Sequence, residues 1–256
     1  MIHLDQYAYG NALRNVHPQE KFFFALATMI ICLAANSFVV SLIVILLMAG
    51  VSILAGKIPL RFYCKLMLIP AAFLLVGTAT IAINIVDNSA NLLWGCQIFH
   101  VYLGVTNQSL LLAAKLFFRA WGAVSCLYFL SLTTPSVEII AILRKLKVPE
   151  LFLDLMSLTY RFLFVLMDRA DNIHIAQTVR LGYTDIRKGY RSLGQLVANL
   201  FLHSYQRSRD LYTALEARGY QGYFRVLERE YRYSKKNLCL ILCLEMLLIL
   251  IAWRYS

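Results

Sequence analysis

Long uncharged runs broken by short polar turns dominate the first half of the chain. No Asp, Glu, Lys or Arg occurs from Phe22 to Gly56. One bilayer crossing needs about 20 apolar residues, so this run predicts two short spans, near 22–36 and 38–55, turning at Asn36 and Ser37. After Lys57, Arg61 and Lys65 comes a third predicted span, from about Leu66 to Ile85, with Pro70 near its start. A fourth is predicted from about Leu110 to Leu132, and a last one from Asn237 to Trp253. The segment from Asp87 to Gln108 has no Lys or Arg and reads as an outside loop. Its Trp94, Phe99 and Tyr102 suit the lipid–water interface.

The pattern changes after the fourth span. In SLTTPSVE, Thr134 is placed to cap a short helix whose first residue is Pro135, with Glu138 in the first turn. That helix ends in the basic RKLK before Val148 and Pro149. A longer helical segment follows, apolar from Leu151 to Val165 and amphipathic from Asp171, where Ile173, Ala176 and Val179 share its apolar face. Gly182 ends it. A second amphipathic helix is predicted from about Ser192 to Arg218, with a stripe of Leu193, Leu196, Leu200, Leu202, Leu211 and Leu215. Gly219 stops it by taking the left-handed conformation.

Composition turns these runs into a class. Of the 256 residues 60% are hydrophobic and 15% charged, against about 45–50% and about 25% in soluble domains, and the mean hydropathy is +0.63. An all-α integral membrane protein follows, with about five transmembrane helices and a cytoplasmic helical domain inserted before the last span. The expected layout is residues 1–133 as an interfacial segment plus four spans, 134–236 as the cytoplasmic domain, and 237–256 as the last span. Net charge is +11, and residues 134–236 hold 17 Lys and Arg against 10 Asp and Glu. Basic residues flanking apolar spans mark the cytoplasmic side rather than a nucleic-acid site. The amino terminus is expected inside and the carboxy terminus outside.

Candidate chemistry is sparse. The six cysteines form no CxxC pair, and Cys239 and Cys243, one turn apart, read as small hydrophobes. His3 behind a free amino terminus has the form of a weak Cu(II) or Ni(II) chelate, and His17 beside Pro18 is placed to start the first helix. His100 alone makes no metal site. Lys115 and Arg119 lie on one face of the fourth span and need a partner or an escape to the interface; Glu245 in the last span is the candidate partner. A membrane enzyme would have to draw on His174, His203, Asp171 and Asp210, which scatter over solvated helix faces. No GxxxxGK[ST] phosphate loop occurs. No catalytic residue, bound metal or cofactor is expected.

The remaining signal is a repeated ending. One amphipathic helix closes in IAQTVRLGY and the other in ALEARGYQG, which places Arg180 and Arg218 at the ends of two helices on one polar hairpin. A cation in the last turn of a helix is ordinary by itself. Two such ends on the only long polar hairpin of a membrane protein suit docking into grooves of a partner, where Arg offers five donors.

Together with TTPSVEIIAILRKLKVPELF and the YRFLF at 160–164, these endings resemble the CbiQ family, the transmembrane T component of energy-coupling factor ABC transporters for cobalt and nickel. The similarity extends from NVHPQEK to the last span. The resemblance implies that Val179, Arg180 and Leu181, and Ala217, Arg218 and Gly219, form two coupling motifs, each docking on one of two ATP-binding cassette subunits. The first motif departs from the family in having Val where Ala is common. It also implies a substrate-binding membrane (S) subunit as partner, cobalt uptake across a bacterial or archaeal plasma membrane, and ATP hydrolysis in the partners alone. Nickel or a vitamin is the alternative cargo; a membrane-embedded enzyme or a membrane-anchored adaptor is the alternative of another class.

Overall fold

The structure, a computed structural model, describes residues 7–35, 37–86, 92–98, 101–220, 231 and 233–255. His3, Asn36, Phe99, His100 and most of the basic run from Arg225 lie outside them. The chain divides into a membrane unit, residues 1–139 with 230–256, and a second unit, residues 140–229.

The membrane unit begins with a 3-10 turn, Ala12–Asn15, capped by the Asn11 side chain. Helix α1, Pro18–Ala34, starts where His17 accepts a hydrogen bond from the Gln19 N–H through Nδ1, the role its place beside Pro18 suggests. Helix α2, Phe38–Gly50, continues through a π turn, Val51–Ala55. Helix α3 is Leu60–Ala82, α4 is Asn107–Thr133 and α8, the last, is Lys235–Tyr255. Among the described residues four helical stretches, Phe38–Ala55, Leu60–Ala82, Asn107–Thr133 and Lys235–Arg254, are long and apolar enough to cross a bilayer. The 17 residues of α1 make a shorter helix. A multi-pass membrane protein with helical spans is therefore the correct class.

Two boundaries differ from expectation. Helix α3 begins at Leu60, so Arg61 and Lys65 lie in its first turns and Pro70 falls near its middle. Thr134 does not cap the next helix. It is the C-cap of α4, its N–H bonded to the Leu130 carbonyl, and its buried hydroxyl has no hydrogen-bond partner among the described residues. The Pro135 carbonyl receives the first helical bonds instead.

The segment expected as a loop after α3 holds strands. β1, Ile83–Val86, and β2, Leu92–Ile98, both pair antiparallel with β3, Val101–Thr106, in the order β1-β3-β2. Runs rich in Val, Ile, Leu and aromatics favour this pairing, and the sheet sits between two spans rather than within them. Helix α4 is then started by a capping box between Thr106 and Ser109, and the Ser109 hydroxyl donates to the Ala82 carbonyl at 2.9 Å, joining the ends of α3 and α4.

Helix α4 is the centre of the unit and packs on α1, α2 and α3. Phe24, Cys32, Val40, Val44, Met48, Cys126 and Phe129 form the core there with Leu248 of α8. The approach is closest at Gly122, where an added Cβ would lie 2.7 Å from Cys32 Sγ. Threonine hydroxyls inside the bundle return to their own helix: Thr28 bonds the Phe24 carbonyl at 2.7 Å and Thr133 the Phe129 carbonyl at 2.6 Å. No ion pair joins Glu245 to Lys115 or Arg119, so the proposed partnership across the spans is not formed. Lys115 is exposed on the isolated chain, and Arg119 and Glu245 are half-buried.

The second unit holds most of α5, Ser136–Lys145, with α6, Glu150–Val179, and α7, Ile186–Ala217. α6 unites into one helix of 30 residues what the sequence separates into apolar and amphipathic parts. α7 starts six residues before the expected Ser192. Asp154, buried, is paired with Arg144 at 3.7 Å. The leucine stripe is only half covered: Leu196, Leu200, Leu211 and Leu215 are half-buried, whereas Leu193 and Leu202 are exposed.

Candidate functional site

The two arginine motifs occupy equivalent geometry. Arg180 is the C-cap of α6, with φ −85° and ψ 15°, and Arg218 the C-cap of α7, with φ −92° and ψ 6°. Past each arginine the backbone turns left-handed, at Leu181 (φ 60°) and Gly219 (φ 72°). The hydrogen bonds that close the two ends then match one for one. The Gly182 N–H donates to the Gln177 carbonyl at 2.8 Å and the Leu181 N–H to Thr178 at 3.0 Å. In the second motif the Tyr220 N–H donates to Leu215 at 3.0 Å and the Gly219 N–H to Glu216 at 2.9 Å. Both are Schellman endings, in which orphan carbonyls of the last turn are satisfied by backbone donors just beyond it.

All six residues are exposed, Val179 at 78% and Leu181 at 66%. Neither guanidinium lies within ion-pair distance of a described carboxylate. Each tip therefore offers a cation whose donors are uncommitted among the described residues, on a hydrogen-bonded helix end, which suits carboxylates or backbone carbonyls of another chain.

The tips differ in what stands behind them. The first is braced within its own unit. Gln177 donates through Nε2 to the Ser192 carbonyl at 2.9 Å and accepts the Tyr183 hydroxyl at 2.8 Å, and the Ser192 hydroxyl donates to the Gly182 carbonyl at 2.9 Å. His174 packs against the Tyr183 ring, centroids 4.7 Å apart. An added Cβ at Gly182 would meet Ser192 Oγ at 2.7 Å, so glycine is needed there for space. This bracket is what allows a leucine to hold a left-handed conformation that costs an ordinary residue roughly 1 kcal/mol. At the second tip nothing approaches the Gly219 Cβ position within 4 Å, and the conformation is left to glycine itself. Beside it, a hydrogen bond and the negative charge of Glu216 push the Tyr212 phenol above its usual pKa, so Tyr212 stays neutral.

The sequence located the arginines and Gly219 but not the bracket. Gln177, Tyr183 and Ser192 come together only when α6 and α7 turn back on each other, and none has a motif of its own. Asp171, His174, His203 and Asp210, the groups that an enzyme would draw on, are all exposed. Among the described residues no three His, Cys, Asp or Glu side chains are grouped to hold a metal. Exposed apolar side chains instead cover much of the unit, including Ile186 (79%), Phe201 (69%) and Val197 (64%). Surfaces of this kind mark contact with protein or membrane.

Residues 10–230 match the model of the CbiQ family, described as cobalt transport protein. The cobalt transport protein CbiQ of Salmonella typhimurium is 36% identical over 224 residues, 88% of this chain and 99% of that protein. The energy-coupling factor transporter transmembrane protein EcfT of Lactococcus lactis is 28% identical, over 98% of this chain and 97% of its own. A fused cobalt transport protein CbiMQ of Methanocorpusculum labreanum is 29% identical over 96% of this chain, which spans 43% of its length. With a family match across most of its length and a relative 36% identical over nearly all of its own, the chain belongs to the CbiQ cobalt transport protein family.

Proposed function

We infer that the protein is the T component of an energy-coupling factor ABC transporter for Co2+, a non-catalytic subunit that turns ATPase motion into movement of the spans. Val179, Arg180 and Leu181 dock on one ATP-binding subunit, and Ala217, Arg218 and Gly219 on a second. A substrate-binding membrane subunit completes the complex in a bacterial or archaeal plasma membrane. The observation that carries this reading is the matched pair of exposed, Schellman-closed arginine tips in the second unit of a membrane protein.

The physical logic is docking followed by displacement. Arginine side chains hold a partner groove through several charge-assisted hydrogen bonds, and the tips follow the grooves as the ATPase dimer closes and opens. Nucleotide chemistry stays with the partners, since this sequence has no phosphate loop. Nickel or a vitamin remains the alternative cargo, because a T component transmits motion and cargo selection rests with the partner.

The test is co-purification followed by transport. Expressed with candidate ATPases and S subunit, the chain is expected to isolate with two ATPase copies and to support ATP-dependent cobalt uptake. Isolation without any ATPase, or catalytic turnover by the chain alone, refutes the reading.

A further inference from the structure

The polypeptide leaves the membrane unit after Ile139 and returns to it at Glu230. Within the membrane unit, both passages are fastened at one place. Glu138 stands directly before the outgoing passage, in the first turn of α5. Tyr231 stands directly after the return, and its hydroxyl donates to Glu138 Oε1. Lys21, 3% exposed, pairs with Glu138 Oε2 at 3.8 Å. Its ammonium also donates to the Thr133 carbonyl at 2.9 Å and the Leu13 carbonyl at 3.4 Å.

The returning segment is held further along. The Tyr233 hydroxyl donates to Gln19, and the His17 ring stacks on Tyr233 with centroids 3.8 Å apart. The Ser234 N–H, just before α8, donates to Glu20 Oε1 at 3.2 Å. Tyr233 and Ser234 thus grip the first turn of α1, and Lys21 ties that turn to the end of α4.

We propose that Lys21, Glu138 and Tyr231 form the anchor through which displacement of the arginine-bearing unit enters the spans. They are positioning residues for transport and touch neither nucleotide nor cargo. A slack connection would absorb displacement at either passage. Here both passages end on one carboxylate, and that carboxylate is paired with a buried cation whose donors reach α4 and the segment before α1. Separating such a pair strands a charge away from water, so it resists being drawn apart. A pull on either passage therefore reaches α1, α4 and α8 together.

This inference rests on the coupling function proposed above, and the experiment separates the two. Complexes of the chain with its ATPases and S subunit, reconstituted in vesicles, are assayed for ATP hydrolysis and Co2+ uptake with Tyr231→Phe, Lys21→Met and Lys21→Arg. Tyr231→Phe and Lys21→Met are expected to keep the ATPases bound and ATP hydrolysis intact while cobalt moved per ATP falls roughly fivefold or more. Lys21→Arg, which keeps the charge, is expected to lie nearer the wild type. Uptake per ATP equal to wild type in both damaging variants overturns the anchor, and so does a parallel fall in hydrolysis and uptake. Where Lys21→Met does not assemble, Tyr231→Phe decides, since it removes a single hydroxyl. A wild-type chain that binds no ATPase overturns the coupling function first and the anchor with it.

Discussion

Leu181 and Gly219 hold the same position, one residue beyond a C-cap arginine, with φ of 60° and 72°. One side chain is strained there and the other residue is at ease. Gly219→Ala is expected to destabilise the second tip by about 1 kcal/mol, because only glycine enters this region freely. Leu181→Gly is expected to relieve strain at the first by up to about 1 kcal/mol. Amide exchange at Tyr220 and Gly182, whose N–H groups close the two endings, reports each change: faster at Tyr220 in the first variant, no faster at Gly182 in the second.

The bracket behind the first tip is a separate expectation. Gln177→Ala deletes the bonds to Ser192 and Tyr183 together, and each neutral bond contributes about 1 kcal/mol. Faster exchange at Leu181 and Gly182 is expected, with Tyr220 unchanged. Weaker ATPase binding should accompany it. Equal loosening of both endings would count against an independently braced first tip.

Charge at the two tips is tested by Arg180→Glu with Arg218→Glu. The pair is expected to abolish ATPase co-purification while leaving the thermal melt of the isolated chain near wild type, because both side chains are exposed and lack an ion pair to any described carboxylate. A large drop in melting temperature would instead assign the arginines to folding.

Within the spans, Gly122→Ala should destabilise the bundle by about 1–3 kcal/mol, the usual range for overpacking, since its new methyl meets Cys32 Sγ. Adding Cys32→Ala should restore much of the loss. Melting in detergent of the single and double variants checks both statements, and additive losses would show that the clash is elsewhere.

The spans were legible because apolar runs of bilayer length leave few other outcomes, and the helix ends were legible at Gly182 and Gly219 because glycine marks them. Starts were harder to read. Charge alone puts the start of α3 at Leu66, after its last cation, whereas the helix begins at Leu60 because Arg61 and Lys65 fit its first turns at the membrane surface. Thr134 looked like a cap, yet the turn is made by the Pro135 carbonyl. Strands in the segment before α4 leave no such mark, since its apolar residues sit between two spans without a bilayer-length run or a glycine-paired turn. At the site, the arginines could be read from the chain, whereas the Gln177 bracket and the Glu138 anchor depend on residues brought together from 15 and 93 positions apart.

A helix tugged at its last residue ordinarily unravels from that end, turn by turn. The Schellman closures at Arg180 and Arg218 lock that route at its first step, since the end carbonyls are already tied to donors beyond the cap. A load applied at either arginine is then carried along a stiff rod of 30 or 32 residues, about 45–48 Å at 1.5 Å per residue. The knotted tip is what makes a long helix usable as a lever.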